Sequence, residues 1–192
     1  MKKTNISPWV KRFSSMHLEK YKDKKKIRIL DLACGSGRHS RYFVNKNLTV
    51  YSVDKDISKI RSLKTKRNIS IIEADIEKVN PWDKSSMLKG KRFDLIIVTN
   101  YLFRPLTSSI IRALKNNGML IYETFSKGNE KYGHPRNPNF LLKSGELLKM
   151  FGAALRIVAF EEGCIRNPRK MVVQRICATR SVKIKKFIYS LN

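Results

Sequence analysis

The sequence predicts an α/β protein: a doubly wound, mostly parallel sheet of seven strands that ends in an antiparallel hairpin. Three observations carry that expectation. Strand-like and helix-like patterns alternate five times between Ile27 and Phe125. FDLIIVTN, Phe93 to Asn100, is an unbroken apolar run of the kind used by parallel strands covered on both faces. ALRIVAFEEG and MVVQRICATR, the last two strand patterns, are joined by a connection too brief for a helical crossover, so they read as a hairpin.

Each element has its own signal. SPWVKRFSSMHLEKY, Ser7 to Tyr21, reads as a helix with a Ser N-cap and Pro in its first turn. Trp9, Val10, Phe13, Met16 and Leu18 give it an apolar side, and Trp9 is either a packing anchor or part of a lid over a ligand. YKDKKK is a solvated linker. The first strand opens at Ile27 and meets Asp31 and a small-residue turn, Ala33 to Gly37, before a helix from Arg38 to Asn45. LTVYSVD is a second strand ending at Asp54, ISKIRSLK a short helix, and NISIIEA, Asn68 to Ala74, a third strand ending at Asp75. PWDKSSMLKGK is a polar connection to the fourth strand, FDLIIVTN. Pro105 to Lys115 is helical and closed by NNG, and MLIYETF is the fifth strand. Lys127 to Asn139 is a long loop with Gly128, Gly133, Pro135 and Pro138, typical of binding loops or lids. SGELLKMFG is a helix ending at Gly152. The expected organisation is an N-terminal helix and basic linker over 1–26, one domain over 27–180, and a basic tail over 181–192.

A chain of 192 residues, 42% of them hydrophobic, can bury a sizeable core. No apolar run approaches the ~18 residues that cross a bilayer. MKKTNISPWVKRF lacks the apolar core of a signal peptide, so a cytoplasmic protein without membrane contact is expected. Cys34, Cys164 and Cys177 have neither CxxC nor metal-ligand spacing, which fits reduced thiols. His17 and His134 form no ligand cluster with His39, and no metal is expected. The formal charge of +26 has two readings. One is a polyanionic partner, RNA above all. The other is a general drift toward Lys, because the lysines are spread along the chain; Lys20 to Arg28 and Arg166 to Lys186 are the local concentrations.

Ligands of doubly wound sheets bind outside the carboxyl ends of the strands. Those ends carry Asp31 to Gly37, Asp54, Asp75, Thr99 to Arg104 and Glu123 to Phe125, so the unusual polar residues gather on one edge. A strand, a glycine turn and a helix N-terminus let backbone approach a nucleotide-like ligand. GSGRHS departs from GxGxxG at Ser40, and Asp31 would repel a diphosphate while holding a cationic amino group. Asp54 sits where a carboxylate holds ribose hydroxyls, and Asp75 where one accepts from an adenine amine. Three carboxylates without a cationic phosphate clamp favour S-adenosylmethionine over a dinucleotide.

On these residues the chain resembles the class I S-adenosylmethionine-dependent methyltransferases and their Rossmann-like sheet. LDLACGSG matches their first motif, VDKD the acidic second-strand motif, EADIE the third and FDLIIVTNYL the fourth. The resemblance covers nearly all of Ile27 to Arg180, including the terminal hairpin. TNYLFRPL, YETFSKGNEKYG, NPNFLLKSGELL and VVQRICA are similar to a bacterial subgroup of small methyltransferases of the tellurite-resistance type. Ala33 stands where many relatives have Gly. The resemblance implies Asp31 near the methionine amino group or its loop, with Ala33, Gly35 and Gly37 along the methionyl and ribose side. It also implies Asp54 on the ribose hydroxyls with Lys55 beside the adenine, and Asp75 at the adenine amine with Ile76 on the ring. Thr99 and Asn100 would lie under the sulfonium, and the product would be S-adenosylhomocysteine.

Methyl transfer from a sulfonium is an in-line displacement that needs alignment more than acid–base chemistry. A base helps only where the nucleophile carries a proton. Tyr101 and Glu123 are the catalytic candidates, and Arg104, Tyr122, Asn129 and Tyr132 the acceptor-side ones. Glu123 reads equally as a base or as a buried acid paired with Arg104 or a backbone amide. His39 is expected on the helix surface. NYLF after the fourth strand lacks the two prolines of the Asn/Asp-Pro-Pro-Tyr/Phe motif, which counts against a nucleic-acid adenine methylase. The expected activity is methyl transfer to a small molecule. The alternatives are an RNA methyltransferase and, less favoured by the intact glycine turn, a non-catalytic nucleotide-binding protein. Cations around the mouth above Asn100 and Glu123 would favour RNA; an even coat would favour drift.

Overall fold

The apolar runs of the sequence become strands with two buried faces. The computed structural model describes residues 5–83, 87–167 and 169–180. Its strands are β1 Arg28–Leu32, β2 Thr49–Asp54, β3 Ile69–Glu73, β4 Phe93–Thr99, β5 Leu114–Phe125, β6 Arg156–Ile165 and β7 Met171–Thr179. They form one sheet in the order β3-β2-β1-β4-β5-β7-β6. β1 to β5 pair in parallel, and β7 is antiparallel to both β5 and β6. The predicted hairpin therefore closes a doubly wound, mostly parallel sheet. The basic tail, 181–192, lies outside the described residues.

Four helices cover it: α1 Pro8–Leu18, α2 Arg38–Val44, α3 Thr107–Ala113 and α4 Glu146–Phe151. The period of two along a strand sends alternate residues into two cores. Leu30, Leu32, Ile96, Val98, Leu120 and Tyr122 pack with α3 and α4. Ile29, Leu95, Ile97, Met119 and Ile121 pack with α1 and α2. Each such fully buried aliphatic side chain stabilises the fold by roughly 1.5–3 kcal/mol. Trp9 is buried against Phe13 with ring centroids 4.4 Å apart, so it is a packing anchor.

The short helix expected at ISKIRSLK is a 3₁₀ helix, Ser58–Thr65, and two other local expectations change. Ile57, Ile60 and Leu63 are buried at strict three-residue spacing, which three residues per turn bring onto one side. NNG does not close a helix: β5 already begins at Leu114, opposite Phe93, and pairing resumes with Met119 opposite Leu95. The extra residues bulge, with Asn117 at φ 65°. Ser7 occupies the N-cap of α1 without capping it, because its hydroxyl donates to Glu123 Oε1 at 3.0 Å.

The sheet is wound outward in both directions from β1 and β4. Their carboxyl ends diverge at this switch point, which is where such sheets open a ligand crevice.

Candidate active site

The glycine turn between β1 and α2 explains its own composition. Gly37, at φ 69°, precedes α2, and a Cβ there would lie 2.3 Å from Ile60 Cγ2. Glycine is thus required by the 3₁₀ segment packed against the turn. Gly35, at φ 53°, has open space where its Cβ would be. Its N–H donates to Asp54 Oδ2 at 2.7 Å, while Asp54 Oδ1 accepts from the Asp56 N–H at 3.0 Å. Arg41 ties the turn down by donating to the carbonyls of Ser36 and Lys59.

Asp31 is enclosed, at 1% exposure, and does not open into the crevice. Its Oδ2 accepts from the Ser40 N–H at 2.9 Å and from Ser40 Oγ at 2.5 Å, anchoring the first turn of α2. Burial pushes its pKa up to about 6 despite these bonds. His39 is not on the helix surface as expected. It is 1% exposed, 3.9 Å from Asp31 Oδ1, and its Nε2 accepts the Ser7 N–H at 3.3 Å. Burial lowers its pKa to about 3, so it is neutral. Ser7, just before α1, meets it there, which its position in α2 alone could not reveal.

Glu123 follows the alternation of β5 onto the α1 face, where Ser7 and Arg175, 3.5 Å away, hold its carboxylate. The expected pairing with Arg104 is corrected. Arg104 sits on the opposite face, bonding Glu146 of α4 at 2.5 Å and the carbonyls of Asn139 and Leu141. Glu146 holds the guanidinium pKa above its ordinary value and is itself held below the usual carboxylate range by Arg104.

Two clefts open at the carboxyl edge. The first, about 170 Å³, is lined by Ala33, Asp54, Lys55, Ala74, Asp75, Ile76, Glu77 and Tyr101. The second, about 460 Å³, contains Asn100, Leu102, Thr124, Phe125, His134, Pro135, Phe140 and Arg169, and shares Glu77 and Tyr101 with the first. Tyr101 therefore stands at their junction. Burial first, and Glu77 second, raise its pKa, so its hydroxyl stays protonated. Thr99 ends β4 opposite Glu123, and Asn100, at φ 56°, donates its N–H to the Glu123 carbonyl at 2.9 Å.

Of the sequence-derived set, Ala33, Asp54, Lys55, Asp75, Ile76 and Tyr101 come together in one cleft, with Gly35 bonded to its wall. The four acceptor-side candidates do not line either cleft. Tyr122 shares the face of Leu120, inside the core, and donates to the Tyr101 carbonyl at 2.9 Å. Arg104 is occupied by Glu146. Asn129 is buried and bonds the Val172 N–H and the His134 carbonyl, so it shapes its loop. Tyr132 is exposed beneath Lys170, whose Nζ is 4.5 Å from the ring centroid. Glu77 was missed although it lies two residues after Asp75 in EADIE. Phe140 and Arg169 had no sequence signal, since they reach the cleft only through long-range pairing of Ser126 with Leu142 and Val172. Among the described residues, no three His, Cys, Asp or Glu side chains form a metal-sized group, and no helix is long and apolar enough to cross a membrane.

An acid-lined cleft at the switch point of a doubly wound sheet defines an α/β domain with its ligand crevice at the carboxyl edge. The chain belongs to a methyltransferase family: residues 23–156 match a model described as a methyltransferase domain. Among solved structures it is similar to TehB from Haemophilus influenzae, with TM-score 0.64 and 19% identity over 80% of this chain. It spans 57% of the TehB chain. It is also similar to the N-methyltransferase NodS from Bradyrhizobium japonicum WM9, with TM-score 0.64 and 15% identity, covering 91% of this chain and 98% of NodS. The NodS complex with S-adenosyl-L-homocysteine gives TM-score 0.62 and 14% identity over 91% of this chain and 88% of that one. These likenesses establish the fold. No curated protein matches the sequence.

Proposed function

We propose that this chain transfers a methyl group from S-adenosylmethionine, held in the first cleft, to an acceptor in the second. The observation that carries this reading is the junction of the two clefts at Tyr101 and Glu77. The residues present fit the cofactor. Asp54 offers a carboxylate to vicinal hydroxyls, Asp75 an acceptor to an exocyclic amine, and Ile76, Ala33 and Ala74 an apolar surface to a ring. The backbone of Gly35 faces space that any side chain would fill. Asp31 serves the same loop from beneath, by fixing α2.

When bound, S-adenosylmethionine supplies an electrophilic methyl, which passes in line to an acceptor lone pair as the carbon–sulfur electrons return to sulfur. Tyr101 keeps its proton, its hydroxyl buried without a hydrogen-bond partner among the described residues, and the residue forms part of the wall of both clefts. Glu77 is placed to receive a proton from an acceptor that carries one. Glu123 holds Ser7 and Arg175 and so fixes the start of α1 against the sheet. The second cleft has the size of a small-ligand site, roughly 300–1,000 Å³, so it admits a small molecule or one projecting unit of a larger one. Calorimetry tests the reading. Both S-adenosylmethionine and S-adenosylhomocysteine should bind more tightly than NAD; preference for NAD, or no binding of either sulfur ligand, overturns it.

A further inference from the structure

We propose that the acceptor is carried on single-stranded RNA, with phosphates on the rim of the second cleft and an unpaired base inside it. This deepens the reading above and rests on it. Two stretches far apart in sequence build that rim. The Ser126 N–H bonds the Val172 carbonyl at 3.0 Å and the Lys127 N–H bonds the Leu142 carbonyl at 2.9 Å, which brings the loop after β5 against the turn before β7.

The loop carries Lys127, Lys131, Arg136 and Lys143, and the turn Arg166, Arg169 and Lys170, all exposed; Arg169 lines the second cleft itself, and Lys127 and Lys143 line a neighbouring one with Arg104 and Glu146. Among the described residues, none of these seven has a carboxylate within ion-pair distance. The neighbouring arginines differ: Arg104 is consumed by Glu146, and Arg175 by Glu123 and Glu161. Uncompensated cations gathered at a substrate edge repel one another and attract a polyanion. The first cleft is lined by Asp54, Asp75 and Glu77 against Lys55, with Lys78 3.7 Å from Asp75, whereas the lining of the second sets Arg169 against the shared Glu77 and its excess of cations lies in the loop and turn beside it. The positive charge is therefore not an even coat across this edge.

Aromatic groups select among polyanions. Of the large exposed hydrophobic side chains among the described residues, both aromatic ones are here, Tyr132 at 42% and Phe140 at 44% exposure. Phe140 lines the cleft beside Phe125, and the Arg169 guanidinium lies 5.9 Å from the Phe125 ring. Cations interleaved with accessible rings bind phosphates and stack bases together, which neither an acidic peptide nor a sulfated sugar requires. Single-stranded RNA offers such bases without the cost of unpairing a duplex.

Fluorescence anisotropy with a labelled, mixed-sequence single-stranded RNA tests this on three proteins. They are the wild type, R166Q/R169Q/K170Q, and K24Q/K25Q/K26Q, which removes equal charge ahead of β1 at the opposite edge of the sheet. The rim variant should weaken binding by about tenfold or more and lower the slope of log K against log salt by up to about 2. The opposite-edge variant should bind nearly as the wild type does. Phe140→Ala should weaken RNA binding by roughly tenfold while leaving heparin binding unchanged. Equal losses in both triple variants, equal affinity for duplex RNA, or equal loss of heparin and RNA in Phe140→Ala would each overturn the proposal. Calorimetry with S-adenosylmethionine on the same wild-type sample separates the failures. If the cofactor binds and RNA does not, only the RNA assignment falls; if the cofactor fails to bind, the reading of the first cleft falls with it.

Discussion

The two glycines of the turn should fail in different ways when each is replaced by alanine. At Gly37 a Cβ would sit 2.3 Å from Ile60 Cγ2, and Ile60 is fully buried among Cys34, Ile57 and Leu63. Overpacking costs about 1–3 kcal/mol and the left-handed backbone about 1–2 kcal/mol more, so Gly37→Ala should lose roughly 2–5 kcal/mol. At roughly 2–4 °C per kcal/mol for a chain of this size, the melting temperature should fall by about 4–20 °C. Gly35 carries only the backbone cost, because nothing lies within 4 Å of its added Cβ. Gly35→Ala should therefore melt only about 2–8 °C lower. The new methyl would project from the residue whose N–H holds Asp54, so its main effect should be a large loss of S-adenosylmethionine affinity. Differential scanning fluorimetry reads the first quantity and calorimetry the second. A Gly37→Ala protein that melts like the wild type, or a Gly35→Ala protein with wild-type cofactor affinity, would refute the assignment of the turn.

Removing the carboxylate in Asp54→Ala should weaken S-adenosylmethionine by about tenfold or more, since charge-assisted hydrogen bonds contribute roughly 1.5–3 kcal/mol; titration calorimetry checks it. Glu77→Gln should lower kcat much more than cofactor affinity when the acceptor carries a proton, by about 10²-fold or more. Steady-state kinetics beside calorimetry would detect the split, and an unchanged kcat would remove Glu77 from the proton path. Stability should fall on acidification. Burial depresses His17 to about 4 and His39 to about 3, so below their ordinary 6.5 the unfolded chain binds protons that the folded chain refuses. His17 alone is worth roughly 3 kcal/mol across that window. Asp31, raised from 3.8 to about 6, works in the other direction and recovers part of the loss between those values. The melting temperature should drop from pH 6.5 toward pH 4, and a flat profile would contradict the buried neutral histidines.

The sheet was legible because its signals are local and repeated. Buried parallel strands read as apolar runs, and the residues ending them, Asp54 and Asp75, fall on one edge by topology alone. ISKIRSLK reads as a short helix, but that it is a 3₁₀ helix follows from Ile57, Ile60 and Leu63 being buried together, which the structure supplies. The sense of individual side chains was harder. Tyr122 and Glu123 are neighbours in β5, so one necessarily faces the α3/α4 core and the other the α1 side; only the register with Thr99 and Arg175 says which. Buried His39 is bonded by the Ser7 N–H, from far upstream in the chain, and lies beside Asp31, and no pattern within α2 records those contacts. Phe140 and Arg169 are placed by pairing between loops, the least legible interaction in any sequence.

The different charged groups around the two clefts make a final prediction that net charge alone would miss. A chain of +26 should repel a cationic cofactor and attract an anionic acceptor at long range. At physiological ionic strength, however, exposed charges beyond about 8 Å are screened, so each ligand responds chiefly to the groups around its own cleft. Asp54, Asp75 and Glu77 surround the first, and Arg169 faces the shared Glu77 in the second, with the exposed cations of the loop and turn beside it. Added salt should then weaken the acceptor steeply, raising its KM, while changing the S-adenosylmethionine dissociation constant little. Salt dependences of opposite sign, the cofactor binding more tightly and the acceptor more weakly as salt rises, would mean that both ligands sense only the overall charge. The acidic composition of the first cleft would then have no electrostatic consequence, and its carboxylates would act solely as hydrogen-bond acceptors.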